Sequence, residues 1–138
     1  MQGKTNACGS GGLGSGDLIT MFRCTYSSAA RSNVRCFYQR DYVSYDSSNY
    51  TFTVLKPFTC TLSIIGKGSR NGSGTEYSVQ YTFTKNGSTL YSGSCTNTGN
   101  GMPSPETVSF AVGDTFRISG QHGVTVYLGE VGFCMEMA

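Results

Sequence analysis

The sequence predicts an all-β domain, an antiparallel sandwich (jelly roll) of about ten short strands. Only 13% of its 138 residues are charged, while glycine, serine and threonine are abundant, and this composition suits pleated strands and tight turns. Turn signals recur roughly every 8–12 residues, which is typical of sandwiches. No helix start signal is followed by apolar residues at helical spacing.

The predicted strands follow one another through short turns: DLITMFRCTY, NVRCFYQ, YTFTV, FTCTLSI, EYSVQYTF, TVSFAV, TFRIS, GVTVYLG and VGFCMEM. The clearest alternation places Phe58, Cys60, Leu62 and Ile64 on one face. The strand EYSVQYTF places Tyr77, Val79, Tyr81 and Phe83 on one face. Asn86-Gly87 predicts a type I′ hairpin turn after it. Gly113-Asp114 predicts a second tight connection.

Charge and hydropathy exclude several function classes. The net charge is +2 and no two basic residues are adjacent, so we expect no nucleic-acid partner. No apolar stretch approaches the ~20 residues that span a bilayer, so we expect no membrane insertion. The first residues have no apolar core of a signal peptide, so we expect synthesis in the cytoplasm; a signal peptide that has been removed is the alternative.

The six cysteines are expected to be reduced thiols in that compartment. Cys60 and Cys134 lie in strand centres and are predicted to be buried; at least one bridged pair is the alternative. No C-x-x-C pair occurs, so we expect no metal site. We also expect no cofactor and no catalysis, because the single histidine, His122, lies in SGQHGVT, where an exposed or subunit-contacting turn is expected.

Tyrosines interleave with short polar residues in YQRDYVSYDSSNY. Rigid amphipathic rings beside adaptable polar groups are typical of binding surfaces, so Arg40, Tyr42, Tyr45 and Tyr50 are candidate binding residues. The alternative is that these tyrosines pack on the sheet or at a seam between subunits.

The N-terminus is predicted to be a separate segment. The stretch GSGGLGSG is flexible by composition, so residues 1–16 are interpreted as an assembly arm and residues 17–138 as the sandwich. Cys8 and Leu13 are the arm residues expected to contact other particle proteins or a neighbouring subunit.

Four segments in order, FTVLKPFTCTLSI, YTFTKNGSTLYSG, VSFAVGDTFRIS and GEVGFCMEM, resemble the tumour necrosis factor/complement globular-head superfamily, to which many phage fibre-tip and decoration domains are similar. The resemblance covers residues 51–138. It implies a jelly roll that forms a homotrimer and binds without catalysis. The function expected is a fibre, decoration or receptor-binding component of a phage virion, with a host surface glycan or protein as partner. The alternatives are a subunit of an extracellular filament and a secreted or surface binding module.

Overall fold

The computed structural model of the chain describes residues 12–96, 104–123 and 128–138. The described residues form strands and turns and no helix. Their strands are β1 (Leu18–Ser27), β2 (Ala30–Tyr38), β3 (Val43–Asp46), β4 (Thr51–Val54), β5 (Phe58–Lys67), β6 (Ser69–Arg70), β7 (Glu76–Tyr77), β8 (Val79–Lys85), β9 (Ser88–Cys95), β10 (Glu106–Phe110), β11 (Thr115–His122) and β12 (Gly129–Met137).

Two five-stranded antiparallel sheets form a sandwich. The first sheet has the order β10-β5-β12-β1-β2 and the second has the order β3-β4-β11-β8-β9, while β6 and β7 form a small hairpin. The chain changes sheet between β2 and β3, between β4 and β5, between β5 and β8 through the β6–β7 hairpin, and at each connection from β9 to β12. This crossing order is that of a jelly roll, so the predicted fold class is confirmed.

Aromatic rings fill the space between the sheets. Phe52 stacks on Phe116 with centroids 5.1 Å apart, and Phe133 meets Phe116 edge-on at 5.7 Å. All three side chains are buried, as the period-2 alternation of their strands requires. The inward faces predicted for β5 and β8 are confirmed by burial. The buried side chains are Phe58, Cys60, Leu62 and Ile64 in β5 and Val79, Tyr81 and Phe83 in β8.

The predicted hairpin turn is present between β8 and β9. Asn86 has φ 54° and Gly87 has φ 79°, so both central residues adopt the left-handed conformation that a type I′ turn needs. Gly113 also has a positive φ, 91°, in the predicted connection from β10 to β11. Asn and Gly tolerate this conformation best, which is why both turns were readable in the sequence.

Some elements differ from the prediction. The tyrosine-rich segment contains a strand, β3, that its polar composition did not indicate. The segment 76–83 divides into β7 and β8, and Tyr77 is only half-buried. The segment between the predicted strands FTCTLSI and EYSVQYTF contains the short strand β6. The predicted strand GVTVYLG includes residues 124–127, which lie outside the described residues.

Candidate functional site

The tyrosine-rich segment lies where the edge strands of the two sheets meet. Tyr38 ends β2, the edge of the first sheet, and Tyr45 lies in β3, the edge of the second. Their ring centroids are 5.8 Å apart, and the Tyr45 ring lies 4.6 Å from that of buried Phe52. The two tyrosine rings therefore close the gap between the sheets while each keeps part of its surface in solvent.

A shallow cavity opens beside these rings. Its volume is about 340 Å³, and it is lined by Tyr38, Arg40, Val43, Ser44, Tyr45 and Leu55. Leu55 is 49% exposed, so the cavity offers an apolar side chain beside an exposed guanidinium. The structure thus brings together two of the four candidate binding residues, Arg40 and Tyr45. Whether they bind a partner stays a prediction.

The Tyr45 hydroxyl is a hydrogen-bond donor at neutral pH. Burial, followed by the nearby Cys36 and Tyr50, raises the pKa of Tyr45 to about 12. The guanidinium of Arg40 only donates. The cavity therefore suits a partner that presents carbonyl, carboxylate or hydroxyl oxygens.

Tyr42 lies in the core of its own chain instead of at this surface. It is 5% exposed, its ring packs edge-on against Phe58 at 6.2 Å, and its hydroxyl accepts a 3.3 Å hydrogen bond from the backbone N–H of Leu13. The Leu13 side chain packs against the same core. Tyr42 thus attaches the first described residues to the sandwich. Cys8, the other predicted arm residue, lies outside the described residues.

Tyr50 contacts a cation that the sequence reasoning missed. The Arg31 guanidinium lies 4.3 Å from the Tyr50 ring centroid and 5.4 Å from that of Tyr26. The Nη1 atom of Arg31 and the hydroxyl of Tyr26 are buried without a geometric hydrogen-bond partner among the described residues. The Cys24 thiol, a weak hydrogen-bonding group, lies near the Tyr26 hydroxyl. Burial, followed by this thiol, raises the pKa of Tyr26. Arg31 contacts Tyr26, its register partner in the neighbouring strand β1, and Tyr50, in the turn before β4, and no pattern within β2 itself distinguishes it.

The outer face of the first sheet carries an apolar row across its strands. The register aligns Phe37 of β2, Met21 of β1, Cys134 of β12 and Ser63 of β5. Phe37 is 41% exposed, and the other three side chains are partly exposed. The adjoining row contains Ile65 together with the arginines Arg23 and Arg35. The exposed ion pair of Arg35 and Glu130, 3.3 Å apart, borders this surface.

Cys134 was expected to point inward, and that prediction is wrong. Its neighbours Phe133 and Met135 fill the core, so the strand alternation turns Cys134 outward, where it is half-buried. Cys60 does point inward, and burial raises its pKa to about 12. The five described cysteines are free thiols.

His122 was expected in an exposed or subunit-contacting turn, and that prediction is also wrong. It is the last residue of β11, is 1% exposed, and its Nε2 lies 2.8 Å from the Ser69 hydroxyl of β6. A Cβ at Gly129 would lie 2.5 Å from the imidazole Cδ2, so a glycine there makes room for the ring. His122 therefore packs at the end of the sandwich, beside the β6–β7 hairpin.

Comparisons with known proteins give distant likenesses only. No family model matches the chain, and no curated protein matches it. Among solved structures, GITRL from bushbaby is similar with a TM-score of 0.47 and 10% identity, over 84% of this chain and 96% of that one. Pika GITRL is similar with a TM-score of 0.41 and 11% identity, over 86% and 97%. Likenesses this distant say nothing about what the chain binds. The described part of the chain contains no helix that is long and apolar enough to cross a bilayer.

Proposed function

We propose that the chain is a non-enzymatic structural and binding protein that assembles as a homotrimer. Its setting in this proposal is a phage virion, where it forms a fibre, decoration or receptor-binding component. The jelly roll and the apolar outer row support the assembly role. The number three and the phage setting are supported by the sequence resemblance alone.

The observation that carries the assembly role is the row Phe37–Met21–Cys134. Apolar side chains on the outer face of a sheet remain in water unless another chain covers them, and obligate interfaces resemble a core cut in half. The bordering Arg35–Glu130 pair supplies the polar rim that such interfaces have. The outer face of the second sheet lacks this character, because its central strands present Ser, Thr and Gln.

The assembly is tested by light scattering coupled to size-exclusion chromatography. Wild-type protein is expected to elute with the mass of a trimer, and Met21→Lys is expected to elute as a folded monomer. Gln80→Lys, on the outer face of the second sheet, is the matched control and is expected to remain trimeric. A stable wild-type monomer at micromolar concentration would rule out the proposal.

The arm is proposed to join the trimer to other virion proteins. Deletion of residues 1–11 leaves the contact between Leu13 and Tyr42 in place, so the sandwich is expected to fold and to trimerise. The truncated protein is expected to fail to join particles. Normal incorporation would show that these residues are only a linker.

A second candidate is an extracellular filament. The observation that favours it is β2, a nine-residue edge strand with mostly exposed side chains, whose free edge can accept a strand donated by a neighbour. The positive φ of Asn33, 50°, interrupts this edge and disfavours a long donated strand. This candidate would be supported if filaments grow with increasing protein concentration and Arg35→Pro abolishes that growth.

A further inference from the structure

The second sheet presents an ordered array of neutral polar side chains to solvent. Across β11, β8 and β9 the register forms one row of Ser119, Thr82 and Ser92 and a second row of Gln121, Gln80 and Ser94. These six residues, called here the polar grid, line a cavity of about 550 Å³. None of the grid side chains carries a charge.

The row between them brings the second sheet close to the first. Tyr81 points inward and is flanked across the strands by Gly120 and Gly93. A Cβ at Gly120 would lie 2.8 Å from the Tyr26 ring of the first sheet, so β11 approaches the opposite sheet more closely than a side chain would permit. β11 therefore lies close to the first sheet at this row, and the polar grid lines a cavity that includes the same row.

The hydrogen-bonding groups of the polar grid are free to meet a ligand. Within the described residues, no hydrogen bond holds any of the six side chains to another protein group. Hydroxyl and carboxamide groups can each donate and accept. Four of the six side chains project from β8 and β11, which are paired on both sides, and Ser92 and Ser94 project from the edge strand β9, so most of the array is held on rigid elements.

A second cavity continues the first and adds an aromatic ring. Its volume is about 400 Å³, it shares Gln80 and Gln121 with the grid, and Tyr77 and Glu76 also line it. The half-buried Tyr77 ring offers a flat apolar surface with a polar tip. The Glu76 carboxylate accepts hydrogen bonds from hydroxyl groups.

We propose that the polar grid and the adjoining Tyr77 cavity bind a neutral oligosaccharide. A sugar chain presents many hydroxyls that both donate and accept, and it has apolar ring faces that can stack on tyrosine. Neither cavity is lined by a lysine or an arginine that could pair with an anionic ligand. An apolar ligand would leave the hydroxyls and carboxamides of the grid unpaired. A peptide that adds a strand needs a free sheet edge; β9 offers one, but a strand paired there would lie beside the grid and leave the hydroxyls and carboxamides of β8 and β11 unpaired.

This inference rests on the proposed binding role, but it does not depend on the trimer. Binding is measured at a protein concentration where light scattering has fixed the oligomeric state. A monomer that binds sugar would overturn only the assembly, and a trimer that binds none would overturn only the sugar site.

The test uses the full ¹⁵N-labelled chain and a panel of neutral tetrasaccharides: maltotetraose, cellotetraose, mannotetraose and lacto-N-tetraose. At millimolar sugar, we expect at least one probe to shift the side-chain amide signals of Gln80 and Gln121 and the backbone amide of Thr82. Thr82→Val and Gln121→Ala each remove hydrogen-bonding groups and are expected to weaken binding about tenfold. Thr53→Val is the matched control on the same outer face and is expected to bind as wild type.

Two results would overturn the sugar site. The first is that none of the tetrasaccharides shifts the signals of the grid residues, whether or not a peptide or a charged glycan binds elsewhere on the protein. The second is binding that Thr82→Val and Gln121→Ala leave unchanged although both variants keep the wild-type spectrum. Grid signals that move on dilution without sugar would assign the face to a contact between copies and would equally overturn the proposal.

Discussion

The carboxamide of Asn86 donates a 2.9 Å hydrogen bond to the carboxylate of Asp114, which ties the β8–β9 turn to the connection between β10 and β11. The tie is reciprocal. The side-chain oxygen of Asn86, Oδ1, accepts a hydrogen bond from the backbone N–H of Thr115 at 2.9 Å. The second carboxylate oxygen of Asp114, Oδ2, accepts one from the backbone N–H of Ala111 at 2.8 Å. Two turns that the sequence predicts independently therefore form one hydrogen-bonded unit at one end of the second sheet.

We expect Asp114→Asn to lower the melting temperature more at pH 6 than at pH 2.5. The N–H of Ala111, the Asn86 carboxamide and Lys85 lower the pKa of Asp114 below 3.8. A lowered folded-state pKa adds stability above pH 3.8, and this stability is lost as the pH falls through the folded-state value. Thermal melts of both proteins across this range measure the difference.

Asp41→Asn is the control for this prediction. Asp41 is exposed, so its substitution is expected to leave the melting temperature unchanged at both pH values. Equal melting temperatures of wild type and Asp114→Asn at pH 6 would show that the link between the two turns adds no stability.

We expect Gly120→Ala to lower the free energy of unfolding by about 1–3 kcal/mol, because the added methyl group overpacks the core against the Tyr26 ring. Gly72→Ala is the control, since a Cβ there has no heavy atom within 4 Å. Urea denaturation of the three proteins tests this. Equal stability of Gly120→Ala and wild type would mean that the sheets can separate at this row without cost.

We expect the wild-type protein to lose stability between pH 9 and 12, and Cys60→Ala to lose less. Burial raises the pKa of Cys60 from 9.0 to about 12, so the thiol adds stability below pH 9 that disappears as the pH rises through the folded-state value. At pH 7, Cys60→Ala is expected to cost about 1 kcal/mol. Cys60→Ser is expected to cost about 1–3 kcal/mol, because it buries a hydroxyl. Denaturation curves at pH 7 and pH 10.5 distinguish the variants, and parallel losses in all three would contradict the assignment.

We expect two tyrosine-to-phenylalanine changes to have opposite effects. Tyr26→Phe removes a buried hydroxyl without a geometric partner and should raise the free energy of unfolding by about 1 kcal/mol. Tyr42→Phe removes the acceptor of the Leu13 N–H and should lower it. Amide hydrogen exchange at Leu13 should accelerate in Tyr42→Phe only. A destabilised Tyr26→Phe would show that the hydroxyl is satisfied, with bound water the simplest partner.

Local patterns predict the strands that alternate clearly, and they fail where the alternation is ambiguous. FTCTLSI has threonine and serine between its apolar residues, so Cys60 was placed correctly. VGFCMEM is apolar at nearly every position, so its phase could not be read, and Cys134 was placed on the wrong face. Burial of His122 depends on Ser69, which lies 53 residues away, and no local signal reports such a contact.

The candidate surfaces were predicted less completely than the fold. The rings and charge of segment 38–50 singled out residues that meet at the sheet edges, and Tyr42 follows the alternative, that these tyrosines pack on the sheet. The polar grid left no signal, because Ser, Thr and Gln alternate outward on any solvated strand. Only the register of β8 with β9 and β11 shows that these residues lie side by side.

The separation of the polar grid from the core has an evolutionary consequence. The grid side chains alternate with Val79, Tyr81 and Phe83, which hold the sheets together, so substitutions at the grid leave the packing of the sandwich untouched. Serine, threonine and glutamine can therefore be exchanged there during evolution at little cost to folding. Sequences of descendants should diverge fastest at these outward positions of β8, β9 and β11, while the inward positions between them stay the same.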